Sequence, residues 1–259
     1  MLNIIPADFS TIIATLNEPA PGADSKLALF KFDLDSKYKT IETSIESIII
    51  ESIKHLSTKD NLLIVDDGST DKSNFLIKNL ANEFSNINLI KHEKNLGKGA
   101  AIQTALKKVK NEIVIIQDSD LEYNPSEYKK LINPIIRLGA DVVYGSRFIS
   151  SAEHRVLYFW HKIGNNIITF FSNTFTNLNL TDMEVGFKAF KSDKILKLNL
   201  REKRFGFEPE VTIKLAKQKC IFYEVGISYR GRTYEEGKKI GLLDAFVAIY
   251  CIIRYSIFD

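Results

Sequence analysis

Short apolar runs alternate with helix-type patterns along most of the chain. Apolar runs predict strands at 26–32, 62–65, 87–90, 112–117 and 141–144. Apolar residues recur at helical spacing over 41–56, 75–84 and 100–109, and Asn124 followed by Pro125 and Glu127 predicts the start of a further helix. Strands and helices that alternate at these lengths predict an α/β fold with a mostly parallel central sheet and helices on both faces.

The pattern changes after residue 147. A long aromatic, amphipathic segment occupies 154–178, and it is followed by a helix at 208–217, a strand at 220–230 and an apolar helix at 242–258. The first 25 residues are poorly patterned. We therefore expect an N-terminal extension at 1–25, one α/β domain at 26–240 and a C-terminal amphipathic helix at 241–259. That helix could rest on a membrane surface or pack on the domain.

Composition narrows the classes of function. The 259 residues are 45% hydrophobic, which is enough to build a full core. Lys and Arg number 35 against 32 Asp and Glu, so the net charge of +3 is too mild to indicate a nucleic-acid-binding protein. Cys220 and Cys251 lie in apolar elements and are expected to be buried thiols in a reduced, cytoplasmic setting. No secretory signal is visible and no segment has the length of a membrane span.

An apolar strand that ends in two carboxylates is the most informative motif. Asp118 and Asp120 lie one residue apart after this strand, and Glu122 follows two positions later. Side chains alternate along an extended strand, so the two aspartates point the same way. Like charges held this close favour a cation between them, and oxygen ligands suit Mg²⁺ or Mn²⁺ bound to a substrate's phosphates. The alternative is that both are turn and cap residues after a strand.

Four other polar motifs accompany this pair. Asp66 and Asp67 end a second buried strand, where they could accept hydrogen bonds from a base or ribose. A Gly-rich loop at 95–101 opens a helix, and Arg147 follows a strand in the sequence Tyr-Gly-Ser-Arg. A basic cluster surrounds a glycine-containing loop at 230–239. Arg suits bidentate phosphate contacts and Lys acts as a point charge, so these motifs favour an anionic ligand.

In combination the motifs resemble a known enzyme family. The order DDGSTD, NLGKGAA, QDSDLEYNP, YGSRF, TDMEVGFKAF, FGFEPE and RTYEEGKK is similar to that of the inverting nucleotide-sugar glycosyltransferases of family 2. Within that family the chain most resembles the dolichyl- or polyprenyl-phosphate mannosyltransferase group. The resemblance covers roughly residues 60–255 and implies the GT-A fold.

The resemblance implies a role for each matching residue. It implies that Asp118, Asp120 and Glu122 hold the metal ion, Mg²⁺ or Mn²⁺. The implied donor-binding residues are Asp66, Asp67, Lys98, Asp118, Arg147, Arg232 and Lys238, and the implied catalytic residues are Asp120, Arg147 and Asp182. Asp182 is expected near the transferred sugar. Lys98 could instead be solvated, and Glu208 or Glu210 could act as a base for a hydroxyl acceptor or simply begin a helix favourably.

The resemblance also implies substrates and a location. The donor would be a nucleotide-diphosphate sugar, either GDP-mannose or a UDP-sugar, and the acceptor a polyprenyl phosphate. The protein would be cytoplasmic and peripheral at the inner face of the membrane, without a nucleic-acid partner. Two alternatives remain: a sugar-phosphate nucleotidylyltransferase, and a non-catalytic pseudo-transferase that binds nucleotide sugar.

The chain departs from the family pattern at its first strand. Relatives end this strand with a Pro-x-Tyr-Asn-Glu-like sequence, whereas 26–32 runs into Asp33-Leu34-Asp35-Ser36. The earlier segment 10–19 resembles that sequence better in letters but requires a long insertion before the first helix. We expect the later segment, 26–35, to supply the strand. Many relatives also have Gln where this chain has Glu122.

Overall fold

The structure is a computed structural model that describes residues 10–16, 41–149, 155–156, 158–231 and 242–259. The strands are β1 (Ser10–Leu16), β2 (Asn61–Asp66), β3 (Ile87–Lys91), β4 (Ile113–Asp118), β5 (Val142–Ser146), β6 (Lys188–Lys191) and β7 (Phe222–Gly226). The helices are α1 (Ile41–Lys54), α2 (Ser73–Glu83), α3 (Lys98–Leu106), α4 (Tyr128–Leu138), α5 (Phe159–Thr176), α6 (Ser192–Ile195), α7 (Phe207–Lys217) and α8 (Leu242–Ile257). A short 3-10 helix at Pro125–Glu127 leads into α4.

The seven strands form one sheet in the order β3-β2-β1-β4-β6-β5-β7. Parallel pairing joins β2 to β3 and β5 to β7, while β1 and β6 run antiparallel to both of their neighbours. Five strands (β2, β3, β4, β5 and β7) therefore point in one direction. The α/β class and the mostly shared strand direction agree with the sequence prediction, and the carboxyl ends of those five strands lie at one edge of the sheet.

The first strand differs from our expectation. Ser10–Leu16 fills the position between β2 and β4, whereas the sequence pattern predicts that this segment belongs to an N-terminal extension and that 26–35 supplies the strand. Residues 26–35 lie outside the described part of the chain. β-branched residues dominate β1, and they suit a strand between two fully buried neighbours. The correction brings part of segment 1–25 into the sheet, and the other domain boundaries stay predictions.

Strand β6 was not predicted from the sequence. It is only four residues long, and a lysine lies at each end. Lys188 is nonetheless buried, with its Nζ bonded to the carbonyl of Val185 and lying 4.6 Å from the ring centroid of Tyr144. A charged residue at an inward-facing strand position hides the apolar pattern on which the prediction depends.

Helices α5, α7 and α8 contact one another. Cys251, Ile252 and Tyr255 of α8 are buried in this packing. Both cysteines are free and buried, as expected from the sequence. Among the described helices, none combines the length and the apolar character that crossing a bilayer would require.

Candidate active site

The acidic motifs of β2 and β4 meet at one edge of the sheet. The register pairs Ser10 of β1 with Asp66 and the adjacent Thr11 with Asp118. The ends of β2 and β4 are thus separated only by the width of β1. Ligands of open α/β sheets bind at the carboxyl ends of the strands, so this edge is the expected place for a site.

Asp66 uses its carboxylate within its own turn. It is buried, its Oδ1 accepts from the backbone N–H of Ser69 at 2.9 Å, and its Oδ2 accepts from Asn74 Nδ2 at 2.6 Å. These bonds connect the end of β2 to the start of α2. A contact between Asp66 and the nucleoside stays a prediction.

Asp67 holds the Gly-rich loop. Its two oxygens accept from the backbone N–H groups of Leu96 at 3.0 Å and Gly97 at 2.7 Å, and His92 Nδ1 lies 2.6 Å from Oδ1. Gly97 has φ of +99°, a conformation that an L side chain rarely adopts. Asp67 therefore fixes the loop from which Lys98 projects. Its predicted nucleoside contact is untested, and His92, to which the sequence assigned no role, takes part in positioning the loop.

Lys98 bridges two carboxylates. Its Nζ lies 2.8 Å from Asp118 Oδ1, 3.0 Å from Asp118 Oδ2 and 2.8 Å from Glu208 Oε1. Burial alone would lower the pKa of Lys98, but the charges of Asp118 and Glu208 outweigh it and raise the pKa well above its ordinary value. Lys98 is therefore a largely buried cation held between two carboxylates at the end of β4 and is not a solvated lysine.

Gly186 makes room for Asp118. A Cβ atom at Gly186 would overlap Asp118 Oδ2, and it would also lie 3.2 Å from Cε2 of Tyr123. The backbone N–H of Gly186 donates to the Tyr123 hydroxyl at 3.0 Å. The carboxylate of Asp118 therefore lies directly on the backbone of the segment that leads into β6.

Arg147 is held by Asp182. Its Nε and Nη2 lie 2.6 Å from Asp182 Oδ2 and Oδ1, and its backbone N–H donates to Oδ2 at 3.1 Å. Nη2 also donates to Asn165 Oδ1 of α5 at 3.1 Å, and the guanidinium carbon lies 5.2 Å from the ring centroid of Tyr229. Burial opposes the charge, but Asp182 raises the pKa of Arg147 well above its ordinary value.

The three carboxylates predicted to bind metal are not gathered. Glu122 Oε2 accepts from the Tyr229 hydroxyl at 2.9 Å, and Leu121 between the acids has φ of +58°. Asp120 Oδ1 accepts from the backbone N–H of Glu122 at 3.3 Å. Within the described ranges, no group of three His, Cys, Asp or Glu side chains is placed to hold a metal ion.

Arg232 and Lys238 lie outside the described residues, so their predicted contacts with the donor stay predictions. Nearby, Arg155 Nη1 donates to the carbonyl of Gly231 at 3.1 Å. A cleft of 410 Å³ between α1 and the loop that follows Asp120 is lined by Arg155 and Arg230.

Glu208 and Glu210 have different environments. Glu210 accepts from the backbone N–H groups of Arg201 and Glu202 and pairs with Lys214 at 2.8 Å, so it has a structural role. Glu208 instead faces the site and pairs with Lys98. The sequence offered both as candidate bases or as acids that begin a helix favourably, and spacing alone cannot separate them.

Sequence reasoning did not identify two titratable groups, Glu184 and Lys188, that interact electrostatically with Lys98. Burial, with the charge of Glu208, raises the pKa of Glu184 to about 8. Burial lowers the pKa of Lys188 to about 8, although the charge of Glu208 acts in the opposite direction. The charges of both Arg147 and Lys98 act on Glu184, so one electrostatic network joins the two cations of the site.

Several known proteins resemble this chain in sequence. The sequence profile of the family described as Glycosyl transferase family 2 matches residues 36–198. The chain is 30% identical over 211 residues to the UDP-N-acetylglucosamine–dolichyl-phosphate N-acetylglucosaminyltransferase of Methanococcus voltae, which covers 75% of this chain and 84% of that protein. It is 27% identical over 235 residues to a dolichyl-phosphate beta-glucosyltransferase of Trichomonas vaginalis, covering 84% of this chain and 70% of that protein.

Solved structures agree on the fold. Glucosyl-3-phosphoglycerate synthase of Mycobacterium tuberculosis, in complex with Mn²⁺, UDP and phosphoglyceric acid, superposes with a TM-score of 0.62 at 18% identity, over 84% of this chain and 75% of that one. The same enzyme with Mg²⁺ and UDP gives 0.60 at 19% identity, over 83% and 75%. Because the family profile spans more than half of the 259 residues, this chain belongs to glycosyl transferase family 2 and is a glycosyltransferase with the GT-A fold.

Proposed function

We propose that this enzyme transfers a hexose from a nucleotide-diphosphate sugar, GDP-mannose or a UDP-sugar, to a polyprenyl phosphate, with inversion at the anomeric carbon. The observation that carries the proposal is the pair of buried, carboxylate-bound cations, Lys98 and Arg147, at the edge where β4 and β5 end. Relatives named for dolichyl-phosphate acceptors support the acceptor class.

The chemistry suits this arrangement. An oxygen of the acceptor phosphate attacks C1 of the sugar, the bond from C1 to the diphosphate oxygen breaks, and its electron pair leaves with the nucleoside diphosphate. A phosphate is already an anion near neutral pH, so the attack needs no general base. Lys98 and Arg147 would stabilise the negative charge on the leaving diphosphate and on the acceptor phosphate, because fixed cations in a desolvated site act strongly on developing charge.

Two carboxylates follow one another closely at the end of β4, which is the basis for proposing a divalent ion there. Lys98 already bonds both oxygens of Asp118, which supports this carboxylate as a cation ligand, and Asp120 adds further hard oxygen atoms. We assign Asp118 and Asp120 as the residues that would hold Mg²⁺ or Mn²⁺; Glu122, whose Oε2 accepts from the Tyr229 hydroxyl, stays a predicted third ligand. The ion would neutralise charge on the leaving nucleoside diphosphate.

A membrane surface is the natural source of a polyprenyl phosphate. Trp160, Ile167 and Phe170 share one exposed face of α5, and Phe246, Tyr250 and Ile257 share an exposed face of α8, which contacts α5. Asn165 of the same helix α5 bonds Arg147. Exposed aromatic residues on two helices that contact each other support peripheral docking at the inner face of the membrane.

The test is transfer itself. Labelled GDP-mannose, UDP-glucose and UDP-N-acetylglucosamine are each offered with purified polyprenyl phosphate, with and without a chelator. We expect a lipid-phosphate-linked sugar from one donor and its loss on chelation. Release of pyrophosphate from a nucleoside triphosphate and a sugar phosphate would instead indicate a nucleotidylyltransferase, and donor binding without transfer would indicate a pseudo-transferase.

A further inference from the structure

The two carboxylates that pair with Lys98 differ in their exposure to solvent. The side chain of Asp118 is 28% exposed, whereas that of Glu208 is 4% exposed and that of Lys98 is 11% exposed. Asp118 can therefore be approached from solvent and Glu208 cannot. Any ligand that binds Asp118 must compete with Lys98 for that carboxylate. The pair between Lys98 and Glu208 is less exposed to solvent, so the ligand does not compete for Glu208.

The backbones that carry Lys98 and Glu208 are fixed to each other. The backbone N–H of Ala100 donates to the carbonyl of Lys203 at 3.0 Å, and Gln103 Nε2 donates to the carbonyl of Glu202 at 2.8 Å. A Cβ atom at Gly99 would overlap the carbonyl oxygen of Glu202. The start of α3 thus lies directly against the segment that leads into α7, and the pairing with Glu208 does not depend on Asp118.

One carboxylate oxygen of Glu208 can still accept a hydrogen bond from Lys98. Its Oε2 atom is buried and has no hydrogen-bond partner in the described part of the protein, and the same holds for Oε1 of Glu184 beside it. A buried carboxylate with an unsatisfied oxygen gains from a closer cation. Lys98 could therefore move fully onto Glu208 without leaving its ammonium group unpaired.

We propose that Glu208 is a positioning residue that withdraws Lys98 from Asp118 when that carboxylate takes a divalent cation with the donor diphosphate. Lys98 then stays beside the site, held by Glu208, where its ammonium can contact the diphosphate. The inference rests on the proposed function. Without Glu208, Lys98 has Asp118 as its remaining carboxylate partner and competes directly with the metal ion.

The experiment measures Mn²⁺ binding directly. The electron paramagnetic resonance signal of free Mn²⁺ is titrated against the full chain in the presence of UDP, and separately of GDP. Glu208→Gln should weaken Mn²⁺ binding about tenfold, the size expected when a supporting residue behind a metal ligand is lost. Glu208→Asp keeps the charge and should restore most of the affinity. Glu208→Gln should also raise the Mn²⁺ concentration for half-maximal transfer more than it lowers the maximal rate.

Glu210→Gln is the matched control. Glu210 lies two residues further along α7, is buried and pairs with Lys214 at 2.8 Å, as Glu208 pairs with Lys98. The Glu210→Gln substitution should lower the melting temperature without changing the affinity for Mn²⁺. In a Lys98→Met background, Glu208→Gln should no longer affect Mn²⁺ binding, because the competing ammonium is gone.

The outcomes separate the two claims. Unchanged Mn²⁺ affinity in Glu208→Gln, or an equal loss in the Lys98→Met background, overturns the positioning role even if the wild type transfers sugar normally. A wild type that binds no Mn²⁺ with either nucleotide overturns the metal assignment of the proposed function and this inference together.

Discussion

Asp182 binds Arg147 through both carboxylate oxygens, with Nε and Nη2 each 2.6 Å away. Asp182 is fully buried and the guanidinium nearly so. The pair orients a planar cation toward the edge of the sheet, and Asn165 and Tyr229 complete its surroundings. Asp182 therefore positions Arg147, and under the proposed function it would act on the reaction through that arginine.

Removal of Asp182 should destabilise the protein. Asp182→Ala leaves the buried guanidinium of Arg147 without its carboxylate partner, and such changes cost about 3–5 kcal/mol in free energy of unfolding. Urea denaturation at neutral pH measures this loss. Asp193→Ala serves as the control, because Asp193 forms only an exposed pair with Lys197 at 3.9 Å, and we expect no measurable change. Equal stability of the two variants would contradict a structural role for Asp182.

Asp120→Ala should abolish transfer in a folded protein. If Asp120 holds the divalent ion, its loss should lower the transfer rate by at least about 100-fold, because charge stabilisation of the leaving group disappears. Labelled-donor assays and a thermal melt measure rate and folding separately. Asp71→Ala is the comparison, since Asp71 only accepts from the backbone N–H of Ser73 at 2.9 Å and should affect stability alone. Normal turnover in Asp120→Ala would refute the metal assignment.

Gly186→Ala should damage the site through Asp118. The added methyl overlaps Oδ2 of Asp118, so the carboxylate must move or the backbone must shift. We expect transfer to fall at least about tenfold, since small displacements of a catalytic group are costly. Gly164→Ala in α5 is the control: nothing lies within 4 Å of its added Cβ, so it should stabilise the helix by about 0.5–1 kcal/mol. Wild-type kinetics in Gly186→Ala would show that Asp118 need not stay where it lies.

Glu184 should make stability depend on pH. Its carboxyl has a pKa of about 8 in the native protein against 4.5 when unfolded, so the native state holds an extra proton between these values. This contribution is fully present below pH 4.5 and is lost as pH rises through 8. Relative to Glu184→Gln, the wild type should lose free energy of unfolding between about pH 5 and about pH 8. Urea titrations across that range measure the difference, and parallel curves would contradict it.

The exposed aromatic face of α5 should bind membranes. The double substitution Trp160→Glu and Phe170→Glu removes two exposed aromatic side chains. We expect the partition constant for binding to anionic vesicles that contain polyprenyl phosphate to fall about tenfold. Vesicle flotation gives the constant. Phe75→Glu is a matched control, since Phe75 is also an exposed aromatic but lies on α2. An equal effect of the control would show that the surface of α5 has no special role.

Much of the fold follows from the sequence because periodicity reports burial. The strands β2, β3, β4 and β5 are short apolar runs, and they fall close to their predicted positions. The first strand was assigned wrongly because two apolar runs precede α1 and periodicity cannot rank which of them pairs with β2 and β4. Lys188 concealed β6, since a buried charge contradicts the apolar pattern.

Some residues of the site could be predicted from the sequence and others could not, for similar reasons. Asp118, Arg147 and Asp182 stand out because charged residues follow apolar strands or match a family motif. Glu208 was only a candidate base, and its pairing with Lys98 was not predicted, because Lys98 lies 110 positions away in sequence and the docking of α3 against the start of α7 joins them. Long-range pairing of this kind has no signature in local spacing.

Strand β1 has a consequence for how the protein assembles. In the described sheet, β3 and β2 are joined to the other four strands only through β1. Until β1 inserts, the backbone hydrogen-bonding groups along the facing edges of β2 and β4 have no strand to pair with. Folding must therefore bring together parts of the chain that are synthesised far apart in time, which predicts slow closure and a period of vulnerability to misassociation. Cleavage just after Leu16 in the native protein would test whether the two blocks stay together by side-chain packing alone.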